Sequence, residues 1–100
     1  MQHRYLNLIG LAYKAQKISL GEDTIIKEIQ SKRAKLILIA TDAANNTKKK
    51  LTDKCHSYQI PYKIIGTIDE LSQAIGKKNR VAIAVLDEGF ANKLRQLIKD

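Results

Sequence analysis

Two aspartates follow the two most apolar segments of the sequence. Asp42 comes just after residues 36–40, and Asp87 directly follows residues 81–86. Strand ends of this kind gather catalytic groups in α/β enzymes, and two carboxylates could hold Mg²⁺ for phosphoryl transfer or nuclease chemistry. No third acidic ligand, nearby histidine or glycine-rich phosphate loop accompanies them. We therefore expect Asp42 and Asp87 to cap helices, and a metal-dependent phosphoryl-transfer or nuclease domain is the alternative.

Cysteine and histidine offer equally little chemistry. Cys55 and His56 are neighbours in a predicted helix, so their side chains project about 100° apart and are poorly placed to chelate one metal. We assign Cys55 to an apolar stripe, and His3 and His56 to the surface or to satisfied hydrogen bonds. No serine, histidine and acid set has an interpretable spacing. We predict no catalytic residue, no metal site and no cofactor.

A polar helix start led by glycine is the strongest candidate for a binding site. Gly21 permits a tight backbone turn, and Glu22, Asp23 and Thr24 are residue types favoured in a first helical turn. Lys27 lies about one turn beyond Asp23 on the same helix face, where it could reach a guanine acceptor or a phosphate. Both helix capping and RNA contact are consistent with these side chains.

The charge balance favours a polyanionic partner. Eighteen Lys and Arg against ten Asp and Glu give a formal charge of +8 and a pI near 9.7. We expect two polar and basic turns to contact phosphates, namely Lys32, Arg33 and Lys35, and Lys77, Lys78, Asn79 and Arg80. Another cluster, Lys48, Lys49, Lys50 and Lys54, lies at a helix start, where cations oppose the helix dipole. For that cluster a solvated face and a functional use both stay open.

Length and composition predict one domain, residues 1–100, with one hydrophobic core. The single Cys55 excludes an internal disulfide, and the first residues lack the basic-then-apolar layout of a secretion signal. No apolar run approaches the roughly 20 residues of a membrane helix. We expect a cytoplasmic protein without a membrane partner, and a monomer.

Apolar residues at helical spacing predict five helices. The first covers residues 3–17 and the fourth ends near Ile75, while the faces of the others are Ile25, Ile26 and Ile29, then Leu51, Cys55 and Tyr58, and finally Leu94, Leu97 and Ile98. Asn45, Asn46 and Thr47 are N-cap types at the third helix, which Pro61 prevents from continuing. Thr67 and Glu70 form a capping box for the fourth.

Between the helices lie a brief extended segment at residues 18–20 and strands at residues 36–40, 62–65 and 81–86. Uninterrupted apolar strands are typical of a sheet covered on both faces. The alternation predicts an α/β fold, a three-layer α/β/α sandwich with a small mixed four-stranded sheet, in which the crossover rule makes most neighbouring strands parallel. The scattered aromatic residues, which we expect mostly in the core, are Tyr5, Tyr13, Tyr58, Tyr62 and Phe90.

Several of these segments occur in an order known from one family. They are residues 21–27, the basic helix end with residues 36–42, residues 60–62, and residues 70–71 with 74–76. In this order, and over nearly the whole chain, the sequence resembles the ribosomal protein L7Ae and L30e superfamily. Residues 46–50 and 52–55 with Tyr58 look closest to its bacterial YlxQ-like branch. The resemblance implies an α/β/α sandwich that binds kink-turn or similar structured RNA, such as ribosomal RNA, as a ribosome-associated or ribonucleoprotein component.

The resemblance also assigns roles to residues. In such families the first turn of the second helix enters RNA where tandem sheared guanine–adenine pairs widen the groove. The usual motif is glycine, any residue, asparagine, glutamate, two further residues and lysine; Gly21 and Lys27 match it, whereas Asp23 and Thr24 depart from it. The family's loop before the final strand often covers a flipped-out nucleotide with apolar residues, but here residues 77–80 would grip phosphates.

We therefore favour a non-catalytic RNA-binding protein. Besides the phosphoryl-transfer alternative, a basic protein-interaction module that docks an acidic partner remains open. Such a module predicts a protein complex that survives ribonuclease treatment.

Overall fold

A computed structural model describes residues 4–98, and within them helices and strands alternate as predicted. The helices are α1 (Arg4–Lys14), α2 (Glu22–Gln30), α3 (Asn45–Tyr58), α4 (Ile68–Ala74) and α5 (Glu88–Leu97). The strands are β1 (Ile18–Ser19), β2 (Leu36–Ile39), β3 (Tyr62–Ile64) and β4 (Ala82–Val85). The first helix is shorter than expected because Gln16, with φ 62°, takes a left-handed conformation that ends it before Lys17. The prediction for His3 lies outside the described residues.

The sheet order is β1-β4-β2-β3. Only β2 and β3 are parallel, since β4 runs antiparallel to both β1 and β2. The expectation that most neighbouring strands are parallel is therefore wrong, although the mixed four-stranded sheet is confirmed. The physical reason is that the connection through α4, a helix only about 10 Å long, brings the chain back into the sheet at the edge it left.

This topology defines two edges of the sheet. At the upper edge β2 and β3 end and β4 begins, whereas at the lower edge β2 and β3 begin and β4 ends. The register pairs Ile39 with Ala82 near the upper edge and Leu36 with Val85 near the lower edge. These two labels locate every candidate functional residue.

Helices cover the sheet in two groups. Helix α1 packs against α4 and α5, whereas α2 packs against α3. Every residue of β2 and β4 is buried, as expected of strands with helices on both faces. The three-layer α/β/α sandwich is confirmed.

The predicted aromatic core is also confirmed. Tyr5 is buried, and the other four aromatic residues pack partly buried against the core. On α1 the inner face consists of Tyr5, Ile9 and Ala12, whereas Leu11 is 57% exposed. No helix within residues 4–98 combines the length and apolar character needed to cross a membrane.

The helix starts differ in how they are capped. The capping box at α4 is confirmed, since Glu70 N donates to Thr67 Oγ1 (3.1 Å) and Thr67 N donates to Glu70 Oε1 (2.9 Å). At α3 the expected cap from residues 45–47 is wrong. Ala44 occupies the N-cap position and provides no side-chain hydrogen bond, because the three polar residues already lie within the first helical turn.

Candidate nucleic-acid interface

Asp42 and Asp87 serve helix termini. Asp87 Oδ2 accepts a hydrogen bond from Phe90 N (2.9 Å) at the start of α5, as predicted. Asp42 Oδ1 accepts from Ile68 N (2.8 Å), so it caps α4 and not the helix that follows it in sequence. Since β2 and β4 are antiparallel, Asp42 lies at the upper edge and Asp87 at the lower, about 10 Å or more apart. The two carboxylates are too distant to share a metal ion.

Cys55 and His56 point apart, as predicted. Cys55 is buried, and burial raises the pKa of its thiol to about 11. The His56 ring instead contacts Tyr62 edge-on, with ring centroids 5.6 Å apart. Among residues 4–98 no group of three histidine, cysteine or acidic side chains could hold a metal.

The start of α2 is open to solvent at the upper edge. Gly21 occupies the N-cap position with φ 90°, a backbone conformation that side chains disfavour, and its carbonyl accepts from Ile25 N (2.8 Å). No side chain caps the helix, while Gly21, Asp23 and Thr24 are exposed. The backbone amides of the first turn are thus available as donors, and the helix dipole favours an anion there.

Residues 77–80 approach this helix start. Asn79 and Arg80 line a cavity of about 130 Å³ together with Gly21 and Glu22. Arg80 N donates to Ser72 Oγ (2.8 Å), which anchors the loop on α4. The Nε atom of Arg80 is buried and has no hydrogen-bond partner within the part of the chain described. The loop therefore lies beside the start of α2, as the resemblance implies, and brings a guanidinium to it.

Lys50 adds a cation to the start of α2, and it comes from the lysine cluster for which the sequence leaves a solvated face and a functional use open. Its Nζ lies 2.9 Å from Glu22 Oε2 and joins α3 to the first residue of α2. The hydrogen bond to Glu22 and the negative charge of Glu22, with a smaller contribution from Asp23, raise the pKa of Lys50. The sequence feature that points to Lys50 is the lysine cluster at a helix start, where cations oppose the helix dipole.

The other basic turn lies elsewhere. Lys35 N donates to Val85 O (2.7 Å) at the lower edge, whereas residues 77–80 precede β4 at the upper edge. Lys32, Arg33 and Lys35 therefore do not flank Gly21, because α2, about 13 Å long, separates its two ends. Arg33 is further engaged by Glu28, with its Nε 3.0 Å from Glu28 Oε1.

We define the upper-edge site as the residues that the fold gathers around the start of α2. Exposed Lys27 continues its surface one helical turn beyond Asp23. The members are Gly21, Glu22, Asp23, Thr24, Lys27, Lys50, Asn79 and Arg80, and we include exposed Lys77 and Lys78 because they precede Asn79 in the same loop.

Known proteins resemble this chain over nearly its whole length. A sequence model described as the ribosomal protein L7Ae/L30e/S12e/Gadd45 family matches residues 4–95. The chain is 53% identical over 91 residues to the RNA-binding protein YlxQ of Bacillus subtilis (strain 168), an alignment that covers 91% of each chain. It is 40% identical to the RNA-binding protein YlxQ of Enterococcus faecium, covering 98% of this chain and 94% of that one.

A solved structure shares the fold. It belongs to a protein with unknown function from Bacillus halodurans C and superposes with a TM-score of 0.95 at 44% sequence identity. The superposition covers 99% of this chain and 100% of the other, so nearly every element described above has a counterpart.

Proposed function

The chain belongs to the ribosomal protein L7Ae/L30e/S12e/Gadd45 family, and from this membership we propose that it is a non-catalytic RNA-binding protein. We further propose that it recognises kink-turn-like or other structured RNA as a ribosome-associated or ribonucleoprotein component, acting as a cytoplasmic monomer. Two relatives that carry the name RNA-binding protein support the first step. The proposal that the RNA is kink-turn-like or otherwise structured rests on the upper-edge site.

The observation that carries the proposal is the uncapped start of α2 beside residues 77–80. The starts of α4 and α5 receive side-chain caps, whereas the first-turn amides of α2 do not. RNA offers the acceptors that such amides need, in its phosphates and base edges. Arg80 provides positive charge at the same place for the phosphate backbone, and exposed Lys77 and Lys78 add to it from the same loop.

Base contacts fall to the exposed face of α2. The Asp23 carboxylate accepts from guanine or adenine amino groups, and the Thr24 hydroxyl both donates and accepts. Lys27, one turn further along, reaches a guanine acceptor or a phosphate. Their departure from the asparagine and glutamate of the family motif gives this site a different set of donors and acceptors.

Lys50 reduces the electrostatic repulsion between this site and an approaching phosphate. Two carboxylates, Glu22 and Asp23, lie where phosphates would approach. Since Lys50 pairs with Glu22 at 2.9 Å, it offsets one of the two negative charges before RNA arrives. We therefore include Lys50 in the RNA-contacting surface.

The test is a binding titration against a kink-turn RNA and a matched duplex without the tandem guanine–adenine pairs. We expect preference for the kink turn, and we expect Asp23→Ala and Lys27→Ala each to lower that preference by roughly tenfold, within the range of a lost base contact. Lys14→Ala, on α1, is the control and should leave the preference unchanged. Equal affinity for both RNAs in the wild-type protein would refute base reading at the start of α2.

A further inference from the structure

A groove at the lower edge is not part of the upper-edge site. One wall is the face of α5 that contains Asn92 and Arg95, and the other is the segment at residues 59–61. These residues are shared by two adjoining cavities of about 1130 Å³ and 310 Å³, which form one continuous surface that we call the α5 groove.

The α5 groove is strongly cationic. Lys32 and Lys35 line one cavity, Lys63 lines the other, and Arg95 lines both. Glu88 is the single carboxylate among the described lining residues, and nearby Glu28 is already engaged by Arg33. The remaining lining combines apolar residues such as Leu36, Ile60 and Pro61 with polar ones, namely Gln59, Gln96, Asn92, His56 and Tyr62.

We propose that the α5 groove binds the sugar-phosphate backbone of a second RNA segment, so that one protein molecule holds two RNA segments at opposite edges of its sheet. The ligand class rests on the proposed function, whereas the location rests on the charge and shape of the groove. Arg and Lys side chains supply the contacts to phosphates, and the amide and hydroxyl groups can hydrogen-bond phosphate and ribose.

The separation of the two surfaces favours a separate segment. The upper-edge site and the α5 groove lie at opposite ends of the strands, in a molecule whose principal extents are 34 × 27 × 25 Å. In the proposal, a stem seated at the start of α2 leaves Lys32, Lys35 and Arg95 to the second segment. The basic turn with Lys32 and Lys35 lies away from the upper-edge site and has a role in the α5 groove instead.

The test measures recruitment of a second RNA. Protein saturated with unlabelled kink-turn RNA is titrated against a short fluorescent RNA duplex, and anisotropy reports the ternary complex. The groove variant combines Lys32→Gln, Lys35→Gln and Arg95→Gln. The control variant combines Lys14→Gln, Lys17→Gln and Lys93→Gln, which removes the same charge from exposed positions outside the α5 groove.

We expect the groove variant to weaken duplex recruitment about tenfold or more and to make its log–log salt dependence shallower by roughly two to three units. The control variant should change recruitment much less, and both variants should bind the kink-turn RNA like the wild-type protein. Absence of a ternary complex, or equal loss in the two variants, would overturn the proposal.

The proposed function and the groove proposal can be refuted separately. If the kink-turn RNA does not bind, the proposed function fails, and the groove and control variants are then compared for duplex binding to the free protein. Thermal unfolding checks that both variants fold. Should half-buried Lys35 disturb folding, Arg95→Glu alone must still weaken duplex binding more than Lys93→Glu.

Discussion

At the scale of single residues, Glu22 and Lys50 define the electrostatics of the upper-edge site. Their ion pair is partly exposed, with 51% of the Lys50 side chain and 34% of the Glu22 side chain accessible. Pairs of this kind add little to folding stability, since solvent and salt screen them. The arrangement is better explained by its effect on an approaching phosphate than by its effect on the fold.

Lys50→Gln should therefore weaken RNA binding and leave the unfolding temperature nearly unchanged. The loss of one phosphate contact predicts a salt-dependence slope shallower by about one unit. Lys49→Gln is the matched control, because Lys49 is adjacent in sequence but pairs with Asp53 at 3.1 Å on its own helix. Equal effects of the two substitutions in a salt-dependent titration would argue against a specific role for Lys50.

Cys55 gives a pH-dependent prediction. Because burial raises the pKa of the folded thiol from 9.0 to about 11, the thiol stays protonated at neutral pH and should react slowly with a disulfide reagent. Above pH 9 the unfolded thiol ionises while the folded one does not, so this group lowers stability as pH rises from about 9 toward 11. Thiol-labelling rates with and without denaturant check this, and rapid labelling of the native protein would contradict it.

At the scale of elements, the helix starts differ in whether a side chain caps them. The start of α4 is held by Thr67, Glu70 and Asp42, whereas the starts of α2 and α3 have no side-chain cap. Side chains also fix the start of α5, where Asp87 accepts from Phe90 N. The two uncapped helices pack against each other and are joined by the Lys50–Glu22 pair.

Thr67→Ala should lower the free energy of unfolding by about 1 kcal/mol, because it removes the acceptor for Glu70 N. Thr47→Ala should cost almost nothing, since Thr47 lies inside α3 and does not cap it. Urea-induced unfolding of the two variants measures the difference. A larger loss for Thr47→Ala would show that this assignment of the α3 cap is wrong.

These caps show what the sequence could predict about elements. The contacts of Thr67 with Glu70 and of Asp87 with Phe90 span three residues, so local spacing was sufficient to find them. The contact of Asp42 with Ile68 spans 26 residues and depends on how β2 and α4 meet. That capping partner could not be predicted from local spacing.

At the scale of the whole molecule, basic residues form one surface at each edge of the sheet. The sequence predicted the three layers because β2 and β4 are apolar throughout, but it did not reveal that β4 enters between β1 and β2 in the antiparallel direction. That direction places residues 77–80 beside Gly21 and the turn at residues 32–35 beside α5. The turn at residues 32–35 is distant from Gly21 for a separate reason, since α2 lies between them.

The most direct test of the upper-edge site is an amide NMR titration of the isotopically labelled protein with one kink-turn RNA at equimolar ratio. We expect the largest shift changes at residues 21–27 and 77–81 and at Lys50, with residues 88–96 of α5 nearly unchanged. Shift changes centred on α5 and residues 32–35, or no specific changes, would contradict RNA recognition at the start of α2.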